Sequence, residues 1–316
     1  MMKTTYNYKK TDNQELTSGE RKFVNDFLCE LKKGIVPNSN LVFRGESVEN
    51  LKEKLKIKND EFHEKVGYFI FNIGDKGKKY QKKYKEKIKS PKVIPINGTN
   101  ETVFGYIFDK FKSVIKDSTN REINHFKNNN LLFVDFFLNR KNKSFFIKSI
   151  SAKSKSEQIA IRDYYLIILH RVGKIGFYGK SFFVSTSEDI NIAEQFSENE
   201  DIIIVGWHIN NDEKNIIKVL KENNLPFVDE MLYSYQKEIS IKGGILPHFI
   251  IGYIKKETNE FIINENLLAF VNFPIDLLIK EGLLLNQDNF EDILSETNYI
   301  GYFTIDSSNQ YSDSDE

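Results

Sequence analysis

Residues 181–196 read SFFVSTSEDINIAEQF, and the chain's local pattern is clearest here. The apolar run over 182–185 predicts a strand, and residues 189–196 have the spacing of a short helix whose Ala193 and Phe196 face inward. A Ser-Thr-Ser triplet, residues 185–187, falls where the strand ends. We therefore predict hydroxyl groups at a strand end, followed directly by a helix.

The pattern continues on both sides of this stretch. Just upstream, the sequence predicts a helix over 156–171 that Ser156 caps and Gly173 stops. Downstream it predicts strands over 202–208, 235–241, 249–254 and 261–264, and a helix over 213–222. Near the N-terminus it predicts a helix over 20–31 and a short strand over 41–44. Strands and helices do not alternate regularly, so the fold class is α+β rather than a doubly wound sheet.

The middle of the chain, about 55–155, mixes Lys-rich and Phe-rich pieces. Its best strand candidates are 66–73, 131–138 and 144–150. We interpret this region as a long insertion into a single domain over 17–305. Residues 1–16 are predicted to form a flexible tail, and residues 306–316 a disordered acidic tail, because neither has enough apolar residues to bury.

Composition narrows the functional classes. The 316 residues carry 45 Lys+Arg and 45 Asp+Glu, so no net charge draws the protein to nucleic acid or membrane. The single cysteine, Cys29, cannot form an internal disulfide, which fits a reduced compartment. Without a signal-peptide pattern or a run of about 20 apolar residues, we expect a cytoplasmic protein with no membrane partner. Delivery into another cell by a specialised secretion machine is compatible with this sequence.

Several common catalytic signatures are absent: GxxxxGK[ST], GxGxxG, GxSxG and HExxH do not occur. The five histidines are dispersed, so we expect no metal site. A metal-dependent nuclease would place an acid two residues before its lysine. Asp135 followed by Lys148 lacks that acid, which leaves the nuclease as a minor alternative.

Three segments each place polar residues at or near a predicted strand end: Phe-Arg-Gly-Glu at 43–46, the Ser-Thr-Ser strand at 183–187, and Tyr-Ser-Tyr-Gln-Lys-Glu at 233–238. Side chains at strand ends can converge on a cleft. Each segment taken alone is common sequence, so the information lies in their order along the chain.

In that order the segments resemble the mono-ADP-ribosyltransferases of the Arg/Ser-Thr-Ser/Glu class, which includes the cholera-toxin-like and clostridial Rho-modifying exoenzymes. The resemblance covers about 41–46 and 160–265, and it includes the helix after the triplet and the Gly243-Gly244 turn. It implies a core of two packed, mainly antiparallel sheets with flanking helices. It also implies a glycosyltransferase that consumes NAD, releases nicotinamide and passes ADP-ribose to a macromolecule without a metal.

The resemblance assigns roles to four residues. Glu238 would hold the ribose and stabilise the cation that develops there. Arg44 would grip the NAD pyrophosphate with paired hydrogen bonds, and Gly45 would let the backbone approach the dinucleotide. Ser185 would hydrogen-bond to Glu238 and orient it.

Arg44 and Ser185 are 141 residues apart, which is long for the small members of the class. The NAD-binding arginine is therefore open to other candidates, although only Arg44 follows a short apolar strand and precedes a glycine. The alternatives are Arg21, Arg121, Arg140, Arg162 and Arg171.

Two further residues bear on the acceptor. On a strand, Gln236 would share a face with Glu238 because the side-chain period is two. An amide at position 236 suits an asparagine, glutamine or nucleobase acceptor rather than arginine. By resemblance, Tyr233 is the aromatic residue of the acceptor-recognition turn, and its ring is able to stack on a base.

The basic segment that runs from Lys76 to Lys92 has nine lysines against one acid, Glu86, with two tyrosines interleaved. It is either a solvated stretch or a surface that contacts RNA or DNA. Together with Gln236 and Tyr233 it slightly favours a nucleic-acid base over a protein amide as the acceptor. An antitoxin or inhibitor protein would then be expected as a partner. The alternative function is a catalytically inert nucleic-acid-binding or adaptor protein on the same fold.

Overall fold

In a computed structural model of the chain, the residues form two compact units. The sheet unit comprises Met1–Glu86, Val184–Asn211 and Tyr235–Gly301, and the helical unit comprises Lys87–Phe183, Asp212–Ser234 and Tyr302–Glu316. The structure describes residues 6–33, 39–55, 65–67, 70–71, 74–75, 93–95, 99–116, 121–172, 183–197, 201–209, 213–232, 234–242, 244–245, 247–284 and 304–306.

The strands are β1 (Asn7–Lys9), β2 (Ser39–Glu46), β3 (Val93–Pro95), β4 (Phe183–Ser187), β5 (Ile202–Ile209), β6 (Glu238–Lys242), β7 (Ile250–Lys255), β8 (Glu260–Ile263) and β9 (Thr304–Asp306). Seven of them form one mixed sheet in the order β1-β8-β7-β5-β2-β4-β6. Strand β2 pairs antiparallel with β4 and with β5, and β7 pairs antiparallel with β5 and with β8. The edge strand β1 pairs with β8 in parallel.

The centre of the sheet is covered on both faces. Residues 202–208 of β5 are all buried, which explains why this strand is a continuous apolar run rather than an alternating one. The register with β7 shifts between Val205 and Gly206. A Cβ atom on Gly206 would lie 2.9 Å from the Phe249 carbonyl oxygen, so glycine permits the bulge.

The helices are α1 (Ser18–Lys33), α2 (Val48–Leu55), α3 (Glu101–Lys116), α4 (Arg121–Asn129), α5 (Leu131–Leu138), α6 (Asn142–Ser151), α7 (Lys155–Val172), α8 (Ile190–Gln195), α9 (Glu213–Glu222), α10 (Glu265–Leu268) and α11 (Ile275–Leu284). In the sheet unit, α1 buries one face, on which the Phe27 ring meets the edge of Trp207 with ring centroids 6.2 Å apart. None of the helices in the described part of the chain combines the length and apolarity that spanning a bilayer needs.

The helical unit has an aromatic core. Six of its fully buried rings, from four helices, meet edge-on or tilted at centroid distances from 4.5 to 6.4 Å: Phe108, Phe111, Phe133, Phe137, Phe146 and Tyr165. The Tyr165 hydroxyl donates to the Pro226 carbonyl at 2.7 Å, so the one polar atom among these rings is satisfied. Burial raises the pKa of Tyr165 well above its usual value. Strands β3 and β9 pair antiparallel in this unit.

The α+β class is confirmed, and so are the elements predicted from residue 156 onward, with shifts of a few residues. The cap of α7 is different from the one predicted. Ser154, not Ser156, begins this helix, because Ser154 and Glu157 exchange side-chain-to-backbone hydrogen bonds at 3.3 and 3.1 Å in a capping box.

The strand candidates of the middle region were wrong. Residues 131–138 form α5 and residues 144–150 lie in α6, while the described parts of 66–73 are helical. The run LLFVDFFL has no strand alternation. Its buried residues Phe133, Val134 and Phe137 instead follow helical spacing toward the aromatic core.

The structure also bears on the predicted architecture. A core of two packed sheets is not confirmed, because the described strands form the seven-stranded sheet and the separate β3–β9 pair. The helical unit includes Asp212–Ser234 besides most of the predicted insertion, and the single domain over 17–305 stays a prediction. Asn7–Lys9 of the predicted N-terminal tail form β1, and Asp306 closes β9, while residues 1–5 and 307–316 lie outside the described residues. Phe196, expected to face inward, is 59% exposed.

Candidate functional site

Three neighbouring strands of the sheet unit carry the three segments that the sequence singles out. Arg44 lies near the end of β2, the Ser-Thr-Ser triplet ends β4, and Glu238 is the first residue of β6. The sheet order places β4 between β2 and β6, and Phe43 pairs with Ser187. The fold therefore brings together segments that are far apart in sequence.

Arg44 makes the direct link between the first two segments. Its Nη1 donates to the Ser185 carbonyl oxygen at 2.7 Å. Its Nε donates to Glu46 Oε1 at 2.8 Å, and its Nη2 donates to the same oxygen. The Nε atom also lies 2.8 Å from Asp75 Oδ2, as an ion pair. Arg44 thus links β2 to β4 through the hydrogen bond from its side chain to the Ser185 backbone carbonyl.

This cluster is buried and brings one cation against two acidic side chains. The side chains of Arg44, Glu46 and Asp75 are 13, 4 and 3% exposed, so one guanidinium faces two carboxylates away from bulk water. Two carboxylates in such a place depend on the cation between them, because an unpaired buried charge is costly.

Asp75 reaches the cluster because the chain beside it packs tightly. The Asp75 N–H donates to the Ile245 carbonyl at 3.0 Å. Gly74 has φ +80, and a Cβ atom there would lie 2.2 Å from the same carbonyl oxygen. Only glycine fits both the conformation and the space.

Glu46 and Asp75 were not predicted from the sequence as residues of this site. Glu46 lies two residues beyond the strand predicted over 41–44; the observed strand continues to Glu46, so its side chain shares a face with Arg44. Asp75 had no local signal, since its contact depends on the bridge between Asp75 and Ile245, 170 residues apart, which no local pattern predicts.

The Ser-Thr-Ser triplet holds the segment around Glu238. Thr186 Oγ1 donates to the Ile239 carbonyl and Ser187 Oγ donates to the Gln236 carbonyl, each at 2.8 Å. Both Thr186 and Ser187 are buried. Ser185 acts through its backbone carbonyl on Arg44. The triplet therefore positions the arginine on one side and the glutamate segment on the other.

Thr186→Val should lower the free energy of unfolding by about 1–2 kcal/mol, because the methyl group leaves the Ile239 carbonyl without its donor. Thr186→Ser keeps the hydroxyl and should retain more of the stability. Urea unfolding of both variants measures the difference. A Thr186→Val variant as stable as Thr186→Ser would mean that the hydrogen bond does not hold β6.

The turn before Glu238 differs from the prediction. Gln236 ends a 3-10 turn, Ser234–Gln236, and Lys237 has φ 45, so the strand begins only at Glu238. The period-two argument that put Gln236 and Glu238 on one strand face is therefore wrong. A non-glycine residue in the left-handed region is strained by about 1–2 kcal/mol. Such strain commonly occurs at functional sites.

The side chains of this turn have local partners. Glu238 Oε1 accepts from Ser240 Oγ at 2.9 Å. Gln236 Nε2 donates to the Tyr235 hydroxyl at 3.4 Å, and Tyr235 is 65% exposed. Tyr233 and the segment 76–92 lie outside the described residues. Tyr235, to which the sequence assigned no role, is an exposed aromatic residue next to Gln236.

Gly45 is explained by packing. A Cβ atom on Gly45 would lie 2.3 Å from the Ala193 carbonyl oxygen of α8, so glycine lets this helix lie against β2. Asp189 caps the same helix, accepting from the Asn191 N–H at 3.1 Å, and that bond lowers the pKa of Asp189. Lys237 Nζ lies 3.4 Å from Asp189.

Gly45→Ala should destabilise the protein by about 1–3 kcal/mol, because backbone must move to admit the methyl group. Gly19→Ala is the matched control, since a Cβ atom there meets nothing within 4 Å in α1 and alanine favours the helix. Thermal unfolding of the two variants measures the contrast. Equal midpoints would contradict the close approach of α8 to β2.

No protein-family model, curated protein or solved structure matches this chain. In the described part of the chain, no group of three or more His, Cys, Asp and Glu side chains is arranged to hold a metal ion. Function must therefore be inferred from the residues and their contacts.

Proposed function

We propose that this chain is an NAD-dependent mono-ADP-ribosyltransferase of toxin or effector type, and that the sheet unit is its catalytic core. One observation carries the proposal. The Arg44 guanidinium donates to Ser185 across 141 residues of sequence, and the strand of Glu238 is the next neighbour in the sheet. The three segments whose order along the chain resembles the family thus also lie on neighbouring strands of one sheet.

In the proposed reaction, the bond between the ribose C1′ and the nicotinamide nitrogen breaks, and its electron pair leaves with nicotinamide. A nucleophile of the acceptor forms the new bond to C1′ and loses its proton. Positive charge builds on the ribose, so a fixed carboxylate beside it stabilises the transition state. Glu238 is the carboxylate proposed for this role, and the bonds from Thr186 and Ser187 hold the segment that carries it.

Arg44 is the residue proposed to face the pyrophosphate. Arginine has five N–H donors, and the contacts to Glu46 and Ser185 use at least three. The ion pairs with Glu46 and Asp75 fix the plane of the guanidinium. Lysine could not reproduce this fork.

The acceptor proposed is a nucleic-acid base in RNA or DNA, slightly ahead of a protein asparagine or glutamine. Gln236 offers an amide that pairs with base edges, and the exposed Tyr235 ring beside it offers a stacking surface. An enzyme that modifies the nucleic acid of its own cell needs restraint, so an antitoxin or inhibitor protein is part of the proposal.

Gln236→Glu should change the acceptor or leave only NAD hydrolysis, because a carboxylate cannot donate to an acceptor carbonyl as the amide does. The measurement compares labelled product with free nicotinamide for the two proteins. Unchanged transfer to the same acceptor would exclude Gln236 from recognition.

One observation favours the alternative, a catalytically inert nucleic-acid-binding or adaptor protein on this fold. Arg44 is already paired with two buried carboxylates, and negative charge so close to the guanidinium disfavours a dianionic pyrophosphate there.

Exposure of the purified chain to NAD distinguishes the two functions. The transferase should gain thermal stability with NAD by mass action and should release nicotinamide. An adaptor should do neither, and that double negative would reject the transferase.

A further inference from the structure

The helical unit carries a run of positive charge that the proposed reaction does not use. Residues 139–156, NRKNKSFFIKSISAKSKS, contain six Lys and Arg and no acid. Helix α6 forms most of this run. Its buried side is formed by Phe146 and Ile150, which pack into the unit.

The opposite side of α6 lies in solvent. Exposed residues recur at intervals of three and four along it: Lys141, Ser144, Phe145, Lys148 and Ser151. This spacing puts them on one side of a helix. Phe145, 44% exposed, lies between the two lysines, which are seven residues and about 10 Å apart along the axis.

The cations on this side of α6 make no ion pair with any of the residues that the structure describes. Lys143, which lies beside this surface, forms an ion pair with Asp109. The charge of Lys153 helps to lower the pKa of Glu157. Within the described residues, the side chains of Arg140, Lys141 and Lys148 have no carboxylate partner. Their charges are available to an external ligand.

We propose that this surface, the α6 face (the exposed Arg140 and Lys141 of the turn that leads into α6, with Ser144, Phe145 and Lys148 of the helix), binds single-stranded nucleic acid. The three cations would lie against phosphates, and the Phe145 ring would stack on a base, the combination that single strands require. Serine hydroxyls suit phosphate oxygens. A helix lying in a bilayer surface needs a wide apolar side, whereas this one has a single aromatic ring among lysines and serines.

The lysines are tested by salt dependence. The full-length protein, without NAD, is titrated into a labelled single-stranded RNA of about 20 nucleotides at several salt concentrations. Lys141→Ala with Lys148→Ala should reduce the slope of log affinity against log salt by about 1.4, or 0.7 for each phosphate that a lysine no longer neutralises. Lys32→Ala with Lys218→Ala removes the same charge from exposed positions on α1 and α9 and should leave the slope unchanged.

The ring is tested separately. Phe145→Leu keeps apolar bulk against the neighbouring Phe136 ring but removes the stacking surface. It should weaken binding roughly tenfold without changing the slope. Unchanged slope and affinity in the lysine and Phe145 variants would overturn the proposal, as would binding to anionic lipid vesicles but not to RNA. Because no NAD is present, failure of the transferase and failure of this surface are distinguishable.

Discussion

Glu238→Ala is expected to abolish ADP-ribose transfer while the protein stays folded. The variant removes the carboxylate proposed to face the ribose cation, and such a loss lowers turnover on the order of 10³-fold. The side chain is half-buried, and Ser240 can hydrogen-bond to water in its place, so the loss of this hydrogen bond should cost little stability. Nicotinamide release at saturating NAD gives the rate, and thermal unfolding checks the fold.

Two variants sharpen the result. Glu257→Ala removes an exposed acid of the same unit and should retain full activity. Glu238→Gln keeps the shape but not the charge, so it should lose nearly as much turnover as Glu238→Ala. A Glu238→Gln variant close to wild type would show that no negative charge is needed there and would refute the proposed role.

Arg44→Ala is expected to lower the free energy of unfolding by about 3–5 kcal/mol, because it removes the cation that pairs with the buried Glu46 and Asp75 carboxylates. The hydrogen bond from β2 to Ser185 is removed as well. Urea unfolding measures the effect. Arg21→Ala, at a half-exposed arginine on α1 that pairs loosely with Glu15, should stay within about 0.5 kcal/mol of wild type.

Neutralising the carboxylates separates charge from packing. Arg44→Met combined with Glu46→Gln and Asp75→Asn should recover much of the stability that Arg44→Ala loses, because no unpaired charge remains. If Arg44→Ala instead loses less than about 1 kcal/mol, the cluster is not the buried ion-pair network described above.

The elements around the motifs could be predicted because their signals are local. The apolar run of β5 and the amphipathic spacing of α1 appear directly in the sequence, and both elements lie where they were expected. The placement of β2, β4 and β6 side by side was not predictable from any local pattern. The sequence predicted only that the ends of the three strands could converge on a cleft.

The failures have physical causes. Residues 131–138 lack any polar alternation, so a helix that buries Phe133, Val134 and Phe137 in an aromatic core could not be distinguished from a buried strand. The strand predicted over 235–241 begins late because Lys237 adopts a left-handed conformation, for which its residue type gives no warning. Asp75 joins Arg44 through a long-range bridge to Ile245, a tertiary contact with no local signature.

The proposed transferase is tested by incubating the protein with NAD labelled on its adenylate part and, separately, total RNA, DNA and lysate protein. We expect label in the nucleic-acid fraction, dependent on Glu238 and accompanied by one nicotinamide for each ADP-ribose transferred. Label in protein alone would keep the reaction and correct the acceptor. No label in any fraction, with NAD intact, would contradict the account and favour the inert nucleic-acid-binding protein.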